Sequence, residues 1–271
     1  MNRGMSKLDF NCFAGGWPFH RVRTDSLEKL ARLHAQNGID GGYVSSTDAI
    51  FYNDPYEADA RLASEIKTMP RYRHVITVNP TLPGCMSGIR RALRDWDVAG
   101  VRILPGFHDY FLNSAPVKAL CELLRAYRLP LFLTLRMEDE RVTYLLHPKI
   151  VPAWDIAQFI STQEGFPILV CNARANEIGV IKPLYEHRKD VFCDCSGLKD
   201  SLYCIEEAYQ RGILERCVYG SLAPVFCLAS SLITVEKSKI PEALKKQILT
   251  GADFCKALAH SCGRAELPVV V

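Results

Sequence analysis

A (β/α)8 barrel in one domain is the fold class this sequence predicts, and three observations predict it. Eight short runs rich in Val, Ile, Leu and Phe recur along the chain, and longer stretches with helical spacing of apolar residues lie between them. A chain of 271 residues suits a barrel built as one unit. No G-x-G-x-x-G follows any of the runs, which counts against an open doubly wound sheet, and no linker or internal repeat divides residues 1–271.

The first strand is expected at 7–13, "KLDFNCF", running into a loop softened by Gly15 and Gly16. A helix follows in "SLEKLARLHAQNG", with Ser26 as its N-cap and Gly38 as its stop. Strands are expected next at 41–46, 73–80 and 99–105. "APVKALCELLRAYR" repeats Leu and Ala at helical spacing and ends before Pro130, within the strand run at 129–136. Two further strands fall at 167–173 and 191–196, then the helix "DSLYCIEEAYQRG" stops on Gly212. The last strand is placed at 217–222. "PEALKKQILTGADFCKALAH" closes the fold, with Pro241 at a helix start and a second helical turn after Gly251.

A net charge of +3 with no basic stripe argues against nucleic acid and anionic membrane as partners. No run approaches the roughly eighteen apolar residues of a membrane span. "MNRGMSKLDF" lacks the apolar core of an export signal, so the expected compartment is the cytoplasm and the eleven cysteines are expected reduced. Most of them sit in apolar or helical stretches and read as small buried hydrophobes. Cys193 and Cys195 share one strand face, away from Asp194 and Ser196, and Cys12 is expected to face the helices.

In such a barrel the chemistry sits at the C-terminal ends of the strands and in the loops that follow. This rule singles out Asn11, Phe13, Ser45, Ser46, Asn79, Arg102, Thr134, Arg136, Asn172, Asp194, Ser196 and Leu222. Three histidines fall in these loops, His20, His108 and His147, whereas His34, His74, His187 and His260 read as structural or surface residues.

"LDFNCFAG", "GVRILPGFHDY", "LPLFLTLRMEDER" and "RCVYGSLAP", in this order, resemble the amidohydrolase-related (amidohydrolase 2) family from Leu8 to about Leu258. The resemblance implies a TIM barrel related to hydrolases and decarboxylases, many of them metal-dependent. Family members carry D-x-H-x-H on strand 1, a histidine on strands 5 and 6, and G-S-D-x-P on strand 8. Here Asp9 is kept, but Asn11, Phe13, Thr134, Asn172 and Leu222 stand at the five ligand positions. The resemblance therefore implies a barrel that has lost its metal ligands, with no cofactor expected.

Without a metal, one general base contributes roughly 10²- to 10⁴-fold, enough for an activated ester or lactone, an enol proton transfer or a decarboxylation. His108 is the best acid/base candidate, because its loop lies above the barrel and its ordinary pKa is near neutrality. Arg102 and Arg136 read either as a clamp for a small anion, with Arg136 also in a catalytic role, or as internal ion pairs, Arg102 with Glu138 or Asp194. Asn11, Tyr110, Glu138, Asn172 and Asp194 complete the candidate substrate-binding set. Asp194 serves equally well as a turn cap, and Glu138 equally well as part of a salt-bridged loop.

Three functional readings follow. The first is a metal-independent hydrolase, decarboxylase or lactonase acting on a small anion. The second is a catalytically inactive relative that binds a metabolite or protein. The third is a metal site rebuilt from His20, His108, His147 and nearby carboxylates. Self-association into homo-oligomers is a further expectation that no segment localises.

Overall fold

A computed structural model describes residues 6–138 and 148–262. Eight parallel strands lie in sequence order: β1 (Leu8–Ala14), β2 (Gly41–Ser46), β3 (Tyr72–Thr77), β4 (Val98–Ile103), β5 (Leu131–Thr134), β6 (Ile168–Cys171), β7 (Val191–Asp194) and β8 (Cys217–Val218). Around them run α1 (Leu27–Gln36), α2 (Pro55–Ile66), α3 (Cys85–Asp95), α4 (Pro105–His108), α5 (Ala115–Tyr127), α6 (Ala153–Thr162), α7 (Ala175–Ile181), α8 (Cys204–Gln210), α9 (Leu228–Glu236), α10 (Glu242–Thr250) and α11 (Ala252–Cys262). The ring closes through backbone bonds from Phe10 N to Tyr219 O (2.9 Å), Leu222 N to Asn11 O (2.7 Å) and Phe13 N to Ala223 O (2.7 Å). The expected (β/α)8 barrel is therefore the observed one. No helix among the described residues is long and apolar enough to cross a membrane.

Local chemistry explains the boundaries. Ser26 accepts a bond from Lys29 N at the start of α1, the expected N-cap. Gly251 adopts φ +57° between α10 and α11, so the expected turn after it is a full helix. The last strand is shorter than 217–222: past Val218, Tyr219 N donates to Ile248 O of α10 at 2.8 Å instead of to the β7 ladder, and Leu222 takes φ +54°, a left-handed conformation.

The barrel interior has three storeys. Phe10, Tyr43, Val75, Phe132, Leu169, Phe192 and Val218 fill the lower end, where Phe254 and Leu258 of α11 plug the floor. Phe13, Trp17, Val22, Ile50, Leu104, Met137 and Leu222 fill the upper end. Between these apolar storeys lies a polar one, built on the next inward position of each strand. The strand faces turned toward the helices supply the main core, including Val44, Ile76, Val101, Leu133, Val170 and Cys193.

Candidate functional site

Arg102 of β4 is the centre of the polar storey and is fully buried. Its Nε donates to Ser45 Oγ (2.8 Å), and its Nη1 donates to Asn11 Oδ1 (2.8 Å) and to Thr134 Oγ1 (2.7 Å). The guanidinium carbon lies 4.4 Å from the centre of the Phe13 ring, a cation–π contact. Its Nη2 has no hydrogen-bond partner, and among the described residues no carboxylate comes within ion-pairing distance of it. Burial lowers the arginine's pKa, but a guanidinium stays protonated at any ordinary pH.

Asp194 of β7 is the nearby buried counter-charge, reached through an amide. Asn11 Nδ2 donates to Asp194 Oδ2 at 2.6 Å, so one side chain bridges cation and carboxylate. Asp194 Oδ1 also accepts from Asn172 N (2.8 Å), and Ser196 Oγ lies 2.9 Å from both carboxylate oxygens. Desolvation raises the Asp194 pKa, and these donors work against it. Gly220 makes room for the carboxylate: a Cβ there would stand 2.3 Å from Asp194 Oδ2. Cys171 faces the same interior, and burial raises its thiol pKa far above the usual range.

Arg136 is engaged elsewhere. It lies past the end of β5, and its Nη1 and Nη2 pair with both carboxylate oxygens of Glu177 on α7 at 2.7 and 2.6 Å. Its Nη1 also donates to Asn172 O (2.8 Å), and Asn172 Nδ2 returns a bond to Arg136 O (2.8 Å). Of the two readings of Arg136, the structure shows the internal ion pair, with Glu177 as the partner. Asn172 adopts φ +57°, and its side chain turns toward Arg136 O rather than along the strand's inward row. The residue of β6 that does face inward is Cys171.

His108 ends α4. Its Nε2 donates to Ile50 O at 2.8 Å, while its Nδ1 is buried without a partner. Burial lowers its pKa from the ordinary value, so the ring is neutral near pH 7 with Nδ1 as a free acceptor. Tyr110 stacks beside it, ring centres 6.3 Å apart, with a buried and unpartnered hydroxyl. Glu138 pairs with His20 Nδ1 at 3.2 Å, not with Arg102. His147 lies outside the described residues. Among the described residues neither His20 nor His108 belongs to a group of three potential metal ligands.

The polar storey does not suit a divalent metal. Its side chains are amide, hydroxyl, thiol, one carboxylate and a permanent cation, and Phe13 and Leu222 contribute only hydrocarbon. Above it Trp17, Phe19, Phe51 and Phe107 meet edge to face and extend the apolar cap. Two open cavities among the described residues are lined by residues other than those of the polar storey. One of about 530 Å³ sits near His187, Arg216 and His260, and one of about 400 Å³ lies between α2 and α3.

Ser45, Thr134 and Arg102 were legible as inward strand positions. Cys171 was missed, although alternation from Leu169 points to it. Glu177 carried no signal, because nothing local ties a helix glutamate to a loop arginine 41 residues earlier.

No family model matches the sequence, and no curated protein matches it. Solved structures do match its fold. A 5-carboxyvanillate decarboxylase from Sphingomonas paucimobilis is 13% identical with TM-score 0.72, over 94% of this chain and 99% of that one. A dihydroxybenzoic acid decarboxylase from Polaromonas sp. JS666, with bound manganese and the inhibitor 2-nitroresorcinol, is 16% identical with TM-score 0.71, over 97% and 98%. A probable 2-pyrone-4,6-dicarboxylic acid hydrolase from Acinetobacter baumannii, with citric acid bound, is 12% identical with TM-score 0.67, over 94% and 100%. The chain therefore shares the barrel of amidohydrolase-type hydrolases and decarboxylases.

Proposed function

We propose that the chain is an amidohydrolase-related hydrolase or decarboxylase that acts on a small carboxylate without the metal of that family. Arg102 is the group that receives the anion. The observation that carries this reading is the free Nη2 of a fully buried guanidinium, held rigid by Ser45, Asn11 and Thr134. A carboxylate is the natural partner for such a donor. The shared fold supports the ligand class, since the three matched structures are named for carboxylate chemistry or hold a carboxylate. His108 Nδ1 is the acceptor available to take a proton from water or substrate.

The apolar cap favours a second reading, a relative that binds such a ligand without turning it over. One experiment separates them. Thermal melting is followed with a panel of small mono- and dicarboxylates, with chelator present throughout, and each hit is assayed for product. A ligand at about 100 times its Kd adds about 2.7 kcal/mol. Under the proposal the rise disappears in Arg102→Met, and product forms in the wild type but not in His108→Asn. Stabilisation without product supports the second reading. A panel that never stabilises the wild type refutes both.

A further inference from the structure

Asp9, Cys12 and His34 form a second cluster, on the outer wall of the barrel between β1 and α1. In an unbroken strand, residues 9 and 12 would face opposite sides. The β1–β2 register slips between Asp9 and Cys12, so Phe10 and Asn11 both turn inward while Asp9 and Cys12 both turn outward. His34 of α1 meets them there. One donor atom from each of the three lies within 4.8 Å of the others, and all three side chains are essentially fully buried.

We propose that Asp9, Cys12 and His34 bind a structural divalent cation of the zinc type, at a place separate from the barrel interior. Thiolate, imidazole and carboxylate together are zinc's preferred donors. Bond lengths of about 2.0–2.3 Å put tetrahedral donors roughly 3.3–3.7 Å apart, so the trio, with donor atoms within 4.8 Å of one another, would draw together on binding. His34 Nε2 and Asp9 Oδ2 already stand 3.2 Å apart. The outer shell is in place: His34 Nδ1 meets Tyr72 Oη at 2.9 Å, and Asp9 Oδ1 accepts from Ser221 N (3.0 Å) and Asn11 N (3.1 Å). Gly42 leaves the β2 side clear, since a Cβ there would press to 3.2 Å from Cys12 Sγ. Tyr43 O accepts from the Cys12 thiol at 3.4 Å, a bond that is given up when the thiolate forms. On binding, the Cys12 thiol proton leaves to solvent. His34 then carries its single proton on Nδ1, donated to Tyr72, and offers the Nε2 lone pair to the metal.

Because the trio is buried, loading accompanies folding. The full chain is unfolded in guanidinium with chelator, then refolded with one equivalent of cobalt(II) or zinc(II). The expected result is one cobalt per chain with a thiolate charge-transfer band in the near ultraviolet. Cys12→Ala should refold to the same circular dichroism without the band, and Cys195→Ala should keep it. Tyr72→Phe should weaken affinity about 10- to 100-fold and leave the band's shape unchanged. A wild type that refolds without stoichiometric cobalt, or a band that survives in Cys12→Ala, overturns the proposal. Should Cys12→Ala fail to fold, X-ray absorption of the zinc-loaded wild type decides: one sulfur ligand supports the assignment, and none or several overturn it. None of these readouts depends on carboxylate binding at Arg102.

Discussion

A histidine with one nitrogen fixed on a carbonyl and the other free is a proton acceptor as soon as water or substrate reaches it. Burial holds the His108 pKa below its ordinary value of about 6.5, so the folded state binds fewer protons here than the unfolded state. Its contribution to stability is therefore present above that ordinary value and is lost as pH falls through the folded one. Urea midpoints measured near pH 7.5 and near pH 5 should drop more in the wild type than in His108→Asn. Equal drops would show that His108 titrates without strain. Arg136 obeys a different rule. Its charge is matched by Glu177 at the edge of the core, and Glu177→Gln removes the carboxylate that both Nη atoms hold. The expected cost is about 3 kcal/mol, read as a lower denaturant midpoint, with carboxylate binding at Arg102 unchanged. Equal loss of binding would return Arg136 to the ligand site.

Glycines and left-handed residues set where the strands can deliver these groups, and they mark the limit of what alternation reveals. Ser45, Thr134 and Asp194 were readable as inward residues because β2, β5 and β7 keep a strict two-residue period, and Arg102 because it lies beyond the slip that β4 makes between Val98 and Gly100. The slip in β1 was not readable, since it depends on pairing with β2 rather than on local composition. Nor was the turn of Asn172, whose φ of +57° takes its side chain off the inward row. Gly220 makes this dependence testable. A methyl there would stand 2.3 Å from Asp194 Oδ2 and 2.9 Å from Asn11 Cβ, so Gly220→Ala must displace the bridge between Asp194 and Arg102. The expected loss is about 1–3 kcal/mol in chemical denaturation, with weaker carboxylate stabilisation. Gly251→Ala, whose methyl would collide with the Phe10 ring at 2.2 Å, should cost at least as much stability and leave ligand response intact. The pair thus separates the polar storey from the floor of the barrel.

At the scale of the whole molecule, a buried cation lies between two apolar storeys, and the upper one decides whether a ligand can enter. The floor is sealed by Phe254 packed against Phe10, Phe132 and Phe192, so any route to Arg102 runs past Phe13, Leu104, Met137 and Leu222. Cys171 provides an internal reporter of that route, because its thiol faces the interior while Cys193 faces the helices. Both are fully buried, so alkylation of either one needs an opening. Leu222→Ala removes part of the cap and should cost about 2–5 kcal/mol through the cavity it leaves. Peptide mapping after timed alkylation should then show Cys171 labelling faster relative to Cys193 than in the wild type. Global unfolding would accelerate both thiols together, whereas an opened mouth accelerates only the interior one. If the ratio stays constant, the cap is part of the rigid core, and the reading as a binder that turns nothing over loses its gate along with the enzyme.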